Sequence, residues 1–280
     1  MFDRFKRSFE LVRASAAVLR QDNRLLLFPL FSALAWLLVV LGFALPVFGL
    51  ASPDALGRGG LLSMAFLFYV VQYFVIFYFN AALVGAVMIR LDGGTPTLRD
   101  GLRIANSRIG TLLGYAVISA TVGVILRAIQ ERLGFVGRLV VALVGAGWAV
   151  ATFLVVPVIV VRDRGPLGSI SDSTDLLKRT WGENIAGQTG LGAAFGLVYF
   201  GLAGGIVLLA ALVLLAVGTV SPAFLALFGV VVVLGLLACA LFQATLTGIY
   251  SAVLYRYAAD GSGTAGFDKG MLASSFVPKA

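Results

Sequence analysis

The sequence contains no histidine and one cysteine, and only 12% of its 280 residues are charged. Without histidine there is no imidazole to act as a base or to build a zinc-type cluster, and Cys239 alone cannot close an internal disulfide. Gly-x-Ser-x-Gly and Walker patterns are also missing. Asp163, Asp172, Asp175 and Glu183 alternate with Arg164, Lys178 and Arg179, as on a solvated face. The expectation is a protein that is not an enzyme and uses no metal and no cofactor. Asp, Glu, Lys and Arg are absent from the middle of the long apolar runs as well. Ion-coupled pumps and voltage sensors commonly need such charges. A passive pore, or a carrier of apolar substrate, does not.

What is present is apolar: 60% of the residues. A soluble domain has under about half apolar and about a quarter charged residues. The runs exceed the roughly 18 residues at which a membrane span becomes the default reading. The fold class expected is all-α, a polytopic bundle of six transmembrane helices near 25–50, 61–89, 109–127, 139–161, 187–217 and 222–254. The first run is too long for a signal peptide's apolar region and reads as a retained span. Pro29, Pro46, Pro157 and Pro222 mark kinks or ends. One membrane domain over 1–257 and a flexible Gly/Ser-rich cytoplasmic tail over 258–280 account for the chain.

The net charge of +8 is placed around the spans, which favours a membrane surface over nucleic acid. Seventeen of the 21 basic residues fall in the N-terminal segment, the loops after spans two and four, and the tail. Only Arg58, Arg127, Arg132 and Arg138 fall on the other side. Because Lys and Arg bias loops toward the cytoplasm, both termini are expected there, in a multi-pass protein of the plasma membrane.

Each cytoplasmic segment ahead of a span pair carries an amphipathic pattern. The stripes are Phe2, Phe5, Phe9, Val12, Ala16 and Leu19; then Leu98, Leu102, Ala105 and Ile109; then Leu167, Ile170, Thr174, Leu177 and Trp181. Arg90, Arg162 and Arg256 each end an even-numbered span. The unit of one amphipathic helix and two spans thus recurs three times, over about 1–90, 91–162 and 163–257. The three helices either lie in the headgroup region or serve as docking surfaces. Arg4, Lys6, Arg7, Arg13, Arg99, Arg103, Lys178, Arg179 and Trp181 are the candidate contacts to anionic lipid on the cytoplasmic side.

Polar groups inside the even spans reach similar depth. Tyr69, Gln72, Tyr73 and Asn80 share one helix face, and Thr152, Gln243, Thr245 and Thr247 lie comparably far from Arg162 and Arg256. They form either a polar constriction or substrate site near the midplane, or hydrogen bonds that hold the bundle together. Gly192, Gly196, Gly201 and Gly205 give span five two Gly-x-x-x-Gly pairs, suited to close helix packing within the chain or in a homo-oligomer. Two functions remain open: channel- or carrier-like passage of a small solute or lipid, and a non-catalytic scaffold or accessory subunit.

Leu176-Leu177-Lys178-Arg179-Thr180-Trp181-Gly182-Glu183 resembles an uncharacterised family, the domain of unknown function numbered 6159. Matching stretches are Arg7-Ser8-Phe9-Glu10-Leu11-Val12, Leu27-Phe28-Pro29-Leu30 and Ser119-Ala120-Thr121-Val122-Gly123. The resemblance implies an integral membrane protein and covers the chain through the sixth span. It implies no activity and no site residues.

Overall fold

The computed structural model describes residues 15–45, 53–179, 196, 199, 201, 205 and 222–260. All regular structure among them is helical. Five helices are long and apolar enough to cross a membrane: Asn23–Ala44, Gly59–Leu91, Ile109–Arg132, Phe135–Val161 and Leu227–Ala259. The run expected over 187–217, Pro46 and the tail beyond 260 lie outside the described residues.

Helix α1 (Leu27–Leu45) follows a short 3-10 turn capped by Asp22, whose carboxylate accepts from the Arg24 N–H at 3.1 Å. Pro29 sits in its first turn, where a missing N–H costs no helical bond. Helix α2 (Pro53–Leu91) begins on proline and is broken at Gly57, whose φ of 60° suits glycine. Helix α3 (Leu98–Ser107) and α4 (Ile109–Arg132) follow. Span four divides into α5 (Phe135–Ala151) and α6 (Val155–Val161). Pro157 explains the break, because its ring displaces the carbonyl four residues earlier and it has no N–H to offer. Helix α7 (Pro166–Arg179) and α8 (Pro222–Asp260) complete the described chain.

The core lies at one end. Residues 81–87 of α2 are all buried, as are residues 154–159 and 248–255 near the ends of α6 and α8. Small side chains make this packing possible. A Cβ on Gly101 of α3 would stand 2.5 Å from the Ala82 carbonyl oxygen of α2 and 2.6 Å from the Phe28 ring of α1. A Cβ on Gly248 of α8 would stand 2.5 Å from Leu83. Helix α2 is therefore the axis on which α1, α3, α4, α6 and α8 are laid.

Ion pairs close the same end, called the basic end below. Arg256 pairs with Asp92 and Arg108 with Asp163, while Arg162 reaches Asp172 at 2.8 Å. The Arg90 guanidinium donates to Gln21 at 3.4 Å and to the Gly94 carbonyl at 3.3 Å. The end of α2 is thus tied to the segment ahead of α1, the end of α6 to α7, and the end of α8 to the segment that follows α2. At the far end large apolar side chains are open, among them Phe135 at 86% and Leu227 at 65% exposure. Such surface suits lipid.

The short helices each bury one side. On α3, Gly101 and Ala105 are buried while Arg99 and Arg103 stay exposed. The inward side of α7 is Ser169, Ser173, Leu176 and Leu177, and Leu167 points outward at 71% exposure. This face keeps Leu177 and Ile170 of the stripe the sequence suggests but is rotated away from Leu167 toward the two serines. The reason is the Ser173 hydroxyl, which donates to the Ala151 carbonyl at 2.8 Å and so occupies a carbonyl at the end of α5. Residues 15–21 are helical with Ser15, Val18 and Leu19 buried.

Helix α3 has a reciprocal cap. The Thr97 hydroxyl accepts from the Asp100 N–H at 3.2 Å, and the Asp100 carboxylate accepts from the Thr97 N–H at 3.1 Å and hydroxyl at 2.6 Å. These bonds from Thr97 hold the Asp100 carboxyl below its ordinary value of 3.8, with slight desolvation opposing and Arg103 and Arg99 assisting.

Two predictions follow from these contacts. Gly101→Ala should cost about 1–3 kcal/mol, because the new methyl meets the Ala82 carbonyl, which is backbone, as well as the buried Phe28 ring. Gly147→Ala in α5, where a Cβ meets nothing within 4 Å, should be neutral or stabilising. Thermal unfolding in detergent reads both, and a Gly101→Ala midpoint equal to the parent's would contradict the packing. The cap should also respond to acid. A carboxyl whose folded pKa is depressed stabilises above its unfolded value and loses that contribution as pH falls through the folded one. The stability gap between the parent and Asp100→Asn should be constant near neutrality and close below the ordinary value of 3.8. A gap that persists to the lowest accessible pH would sink this account.

Candidate functional site

The polar residues expected near the midplane go to three places. Tyr69 and Tyr73 of α2 line a cavity of about 160 Å³ with Ala120, Gly123, Val124 and Arg127 of α4. Small residues at 120 and 123 open the space, and the Tyr73 hydroxyl lies 3.4 Å from where a Gly123 Cβ would stand. Arg127 donates from Nη1 to the Tyr69 hydroxyl at 2.7 Å and from Nε to Glu131 at 3.1 Å. Inward from the cavity, Tyr73 stacks on Phe77 with centroids 5.6 Å apart, and Phe77 on Tyr115 at 4.4 Å. Buried Tyr115 has Thr152 and Ser119 as hydroxyl neighbours.

Asn80 lies elsewhere, with its Oδ1 3.4 Å from the place of a Gly248 Cβ on α8. It is 11 residues from Tyr69, about 16 Å along the helix. The threonines donate within their own helices: Thr152 to the Trp148 carbonyl at 2.8 Å, Thr245 to Leu241 at 2.8 Å and Thr247 to Gln243 at 2.9 Å. Such bonds satisfy a hydroxyl in an apolar setting without an interhelical partner. Gln72 and Gln243 are half-buried and stand outside the cavity wall.

Arg127 is the site residue that sequence reading left out, having counted it only as a basic residue closing span three on the far side. Helix α4 continues a further turn to Arg132, and Arg127 faces α2. The Arg127 and Glu131 pair at i, i+4, one turn beyond Gly123, was the available signal. Arg127 is 18 residues from Ile109, about 27 Å, which puts the cavity toward the far edge of a hydrocarbon layer about 30 Å thick. Arg127 and Glu131 are 66% and 67% exposed, so their pair contributes little to stability. Between α1 and α2 at the same end runs a second, apolar cleft of about 350 Å³ whose walls include Phe43, Met64 and Phe68.

The candidate lipid contacts Arg99, Arg103 and Lys178 are exposed, with Arg103 paired to Asp100 at 3.1 Å and Lys178 to Asp175 at 3.4 Å. Arg4, Lys6, Arg7, Arg13, Trp181, Gly192 and the Arg179 side chain lie outside the described residues. Gly196, Gly201 and Gly205 are exposed, and a Cβ on any of them meets nothing within 4 Å.

Five long apolar helices are compatible with a multi-pass membrane protein. The chain belongs to the family of unknown function DUF6159, whose model matches residues 60–267. The match includes the Ser119–Gly123 and Leu176–Glu183 stretches; it begins after the 7–12 and 27–30 stretches and continues past Ala258. No curated protein and no solved structure is similar enough to count as a relative.

Proposed function

We propose that this is a six-span, non-catalytic membrane protein that gives carrier-like passage to a small solute or lipid. The observation that carries the reading is one-sidedness. The basic end is filled by Leu83, Leu112, Leu154, Ile159, Leu246 and Tyr250, all buried. The far end keeps the cavity of Tyr69, Tyr73 and Arg127, and hydroxyl groups continue inward from it to Tyr115 and Thr152. A carrier closed on one face and accessible from the other has this form.

Six spans fit the described topology. Helix α7 is tied to the basic end through Asp172, whereas α8 ends there through Arg256 and so starts at the far end. One further crossing is needed between α7 and α8, and the fifth span is expected there, over 187–217. The three-unit repeat draws support from Arg90, Arg162 and Arg256, which all join the basic-end network just after a buried stretch. In this reading both termini and the exposed Arg99, Arg103 and Lys178 face the cytoplasm and its anionic lipid, the amphipathic helices border that interface, and the membrane is the plasma membrane.

A second reading, a self-associating scaffold, is favoured by the open space beside Gly196, Gly201 and Gly205. Proteoliposomes separate the two. Movement of fluorescent lipids or small osmolytes above protein-free vesicles, lowered by Tyr73→Ala while the thermal midpoint holds, is expected of a carrier. No movement of any probe would leave the scaffold as the better reading.

A further inference from the structure

We propose that the Arg127 cavity binds the headgroup of an anionic phospholipid drawn from the leaflet at the far end. The inference rests on the reading of this cavity as a ligand site and names the ligand's class. A guanidinium carries five N–H donors in a planar fork. Arg127 uses one on Tyr69 and one on Glu131. Three have no protein partner among the described residues, including both on Nη2, enough for a bidentate grip on a phosphodiester.

Local charge selects the sign of the ligand. Residues 127–138 hold Arg127, Arg132 and Arg138 against Glu131 alone, a net charge of +2. Depth selects the source. About 27 Å from the start of α4, Arg127 stands where the phosphates of that leaflet begin. The walls select a lipid over a free anion. Ala120, Gly123, Val124 and the Tyr73 ring give the cavity an apolar lining beneath the guanidinium. An inorganic anion would leave that lining uncovered, whereas a glycerol backbone and chain would cover it. The chain has a path along α4, where Leu113, Val117 and Val124 form an exposed apolar stripe at 47%, 41% and 38%. Tyr69 and Tyr73 complete the frame as aromatic side chains at headgroup depth.

The test uses the full chain in proteoliposomes with a photo-crosslinkable phosphatidylglycerol, read as crosslinking yield on peptides of Ile109–Arg132. The phosphatidylcholine analogue should give about a tenth of that yield, and Arg127→Gln should lower the phosphatidylglycerol yield about tenfold, the scale of one lost charge-assisted contact. Arg127→Lys should restore part of it, and Tyr69→Phe, which frees an N–H, should keep at least the parent yield. Arg164→Gln at the basic end, where Arg164 lies 3.5 Å from Asp172, should leave it unchanged. Excess unlabelled phosphatidylglycerol should compete and glycerol 3-phosphate should not. Equal yields for Arg127→Gln and the parent, or for the two lipids, overturn the proposal, and displacement by glycerol 3-phosphate overturns it in favour of a free-anion site. Crosslinking of the expected pattern without lipid movement sinks the carrier reading alone. Lipid movement with an unchanged Arg127→Gln yield sinks this inference alone.

Discussion

The structure depends on how closely other helices approach α2 between residues 81 and 87. Apolar side chains gain little by leaving lipid for one another, so association inside a bilayer depends on packing and on satisfied polar groups. Close packing needs small residues at the crossing. Gly101 on α3 meets Ala82 on α2 and Gly85 on α2 meets Ile104 on α3, while Gly248 admits α8 onto Leu83. Because α3 and α8 rest directly on α2, the ends of the long helices are fixed relative to each other. The ion pairs of Asp92 and Asp163 then fall between segments that this packing has already brought together.

The same approach explains why burial is uneven along the helices. Each long helix is locked near the basic end and leaves large apolar side chains open toward the other. Lipid tolerates that exposure where water would not. Helices bound along their whole length could not keep a cavity between α2 and α4. Helices bound at one end keep the space between Tyr73 and Gly123, and the stacked rings of Tyr73, Phe77 and Tyr115 join that space to the core.

The helices were legible in the sequence because their lengths follow from the bilayer: the runs near 61–89, 109–127 and 139–161 reappear as Gly59–Leu91, Ile109–Arg132 and Phe135–Val161. The break before Pro157 was legible too, since proline's covalent structure forces it. Rotation about a helix axis was not. Of the apolar stripe on α7, Ile170 and Leu177 do pack inward, yet Leu167 is left outside while Ser169 and Ser173 turn in, because a serine hydroxyl that reaches the Ala151 carbonyl outweighs a leucine that lipid accepts equally well on the outside. In water that leucine would have decided the face. Periodicity therefore reports which side of a membrane helix is apolar without saying which side meets protein.

The candidate site shows the same limit from the opposite direction. Thr152, Thr245 and Thr247 looked available because their spacing matched, but a threonine in a helix can satisfy itself on the carbonyl one turn back. Asparagine and arginine have no such outlet. Asn80 consequently lies against Gly248 of another helix, and Arg127 turns to Tyr69 and Glu131. Near a bilayer edge a guanidinium on an apolar helix has to find acceptors in the protein, in water or in lipid phosphate. With two donors held by Tyr69 and Glu131 and three without a partner among the described residues, Arg127 is the group in this site that has donors to spare for a ligand. That imbalance, more than the cavity's volume, distinguishes the α2–α4 cavity from the larger apolar cleft between α1 and α2.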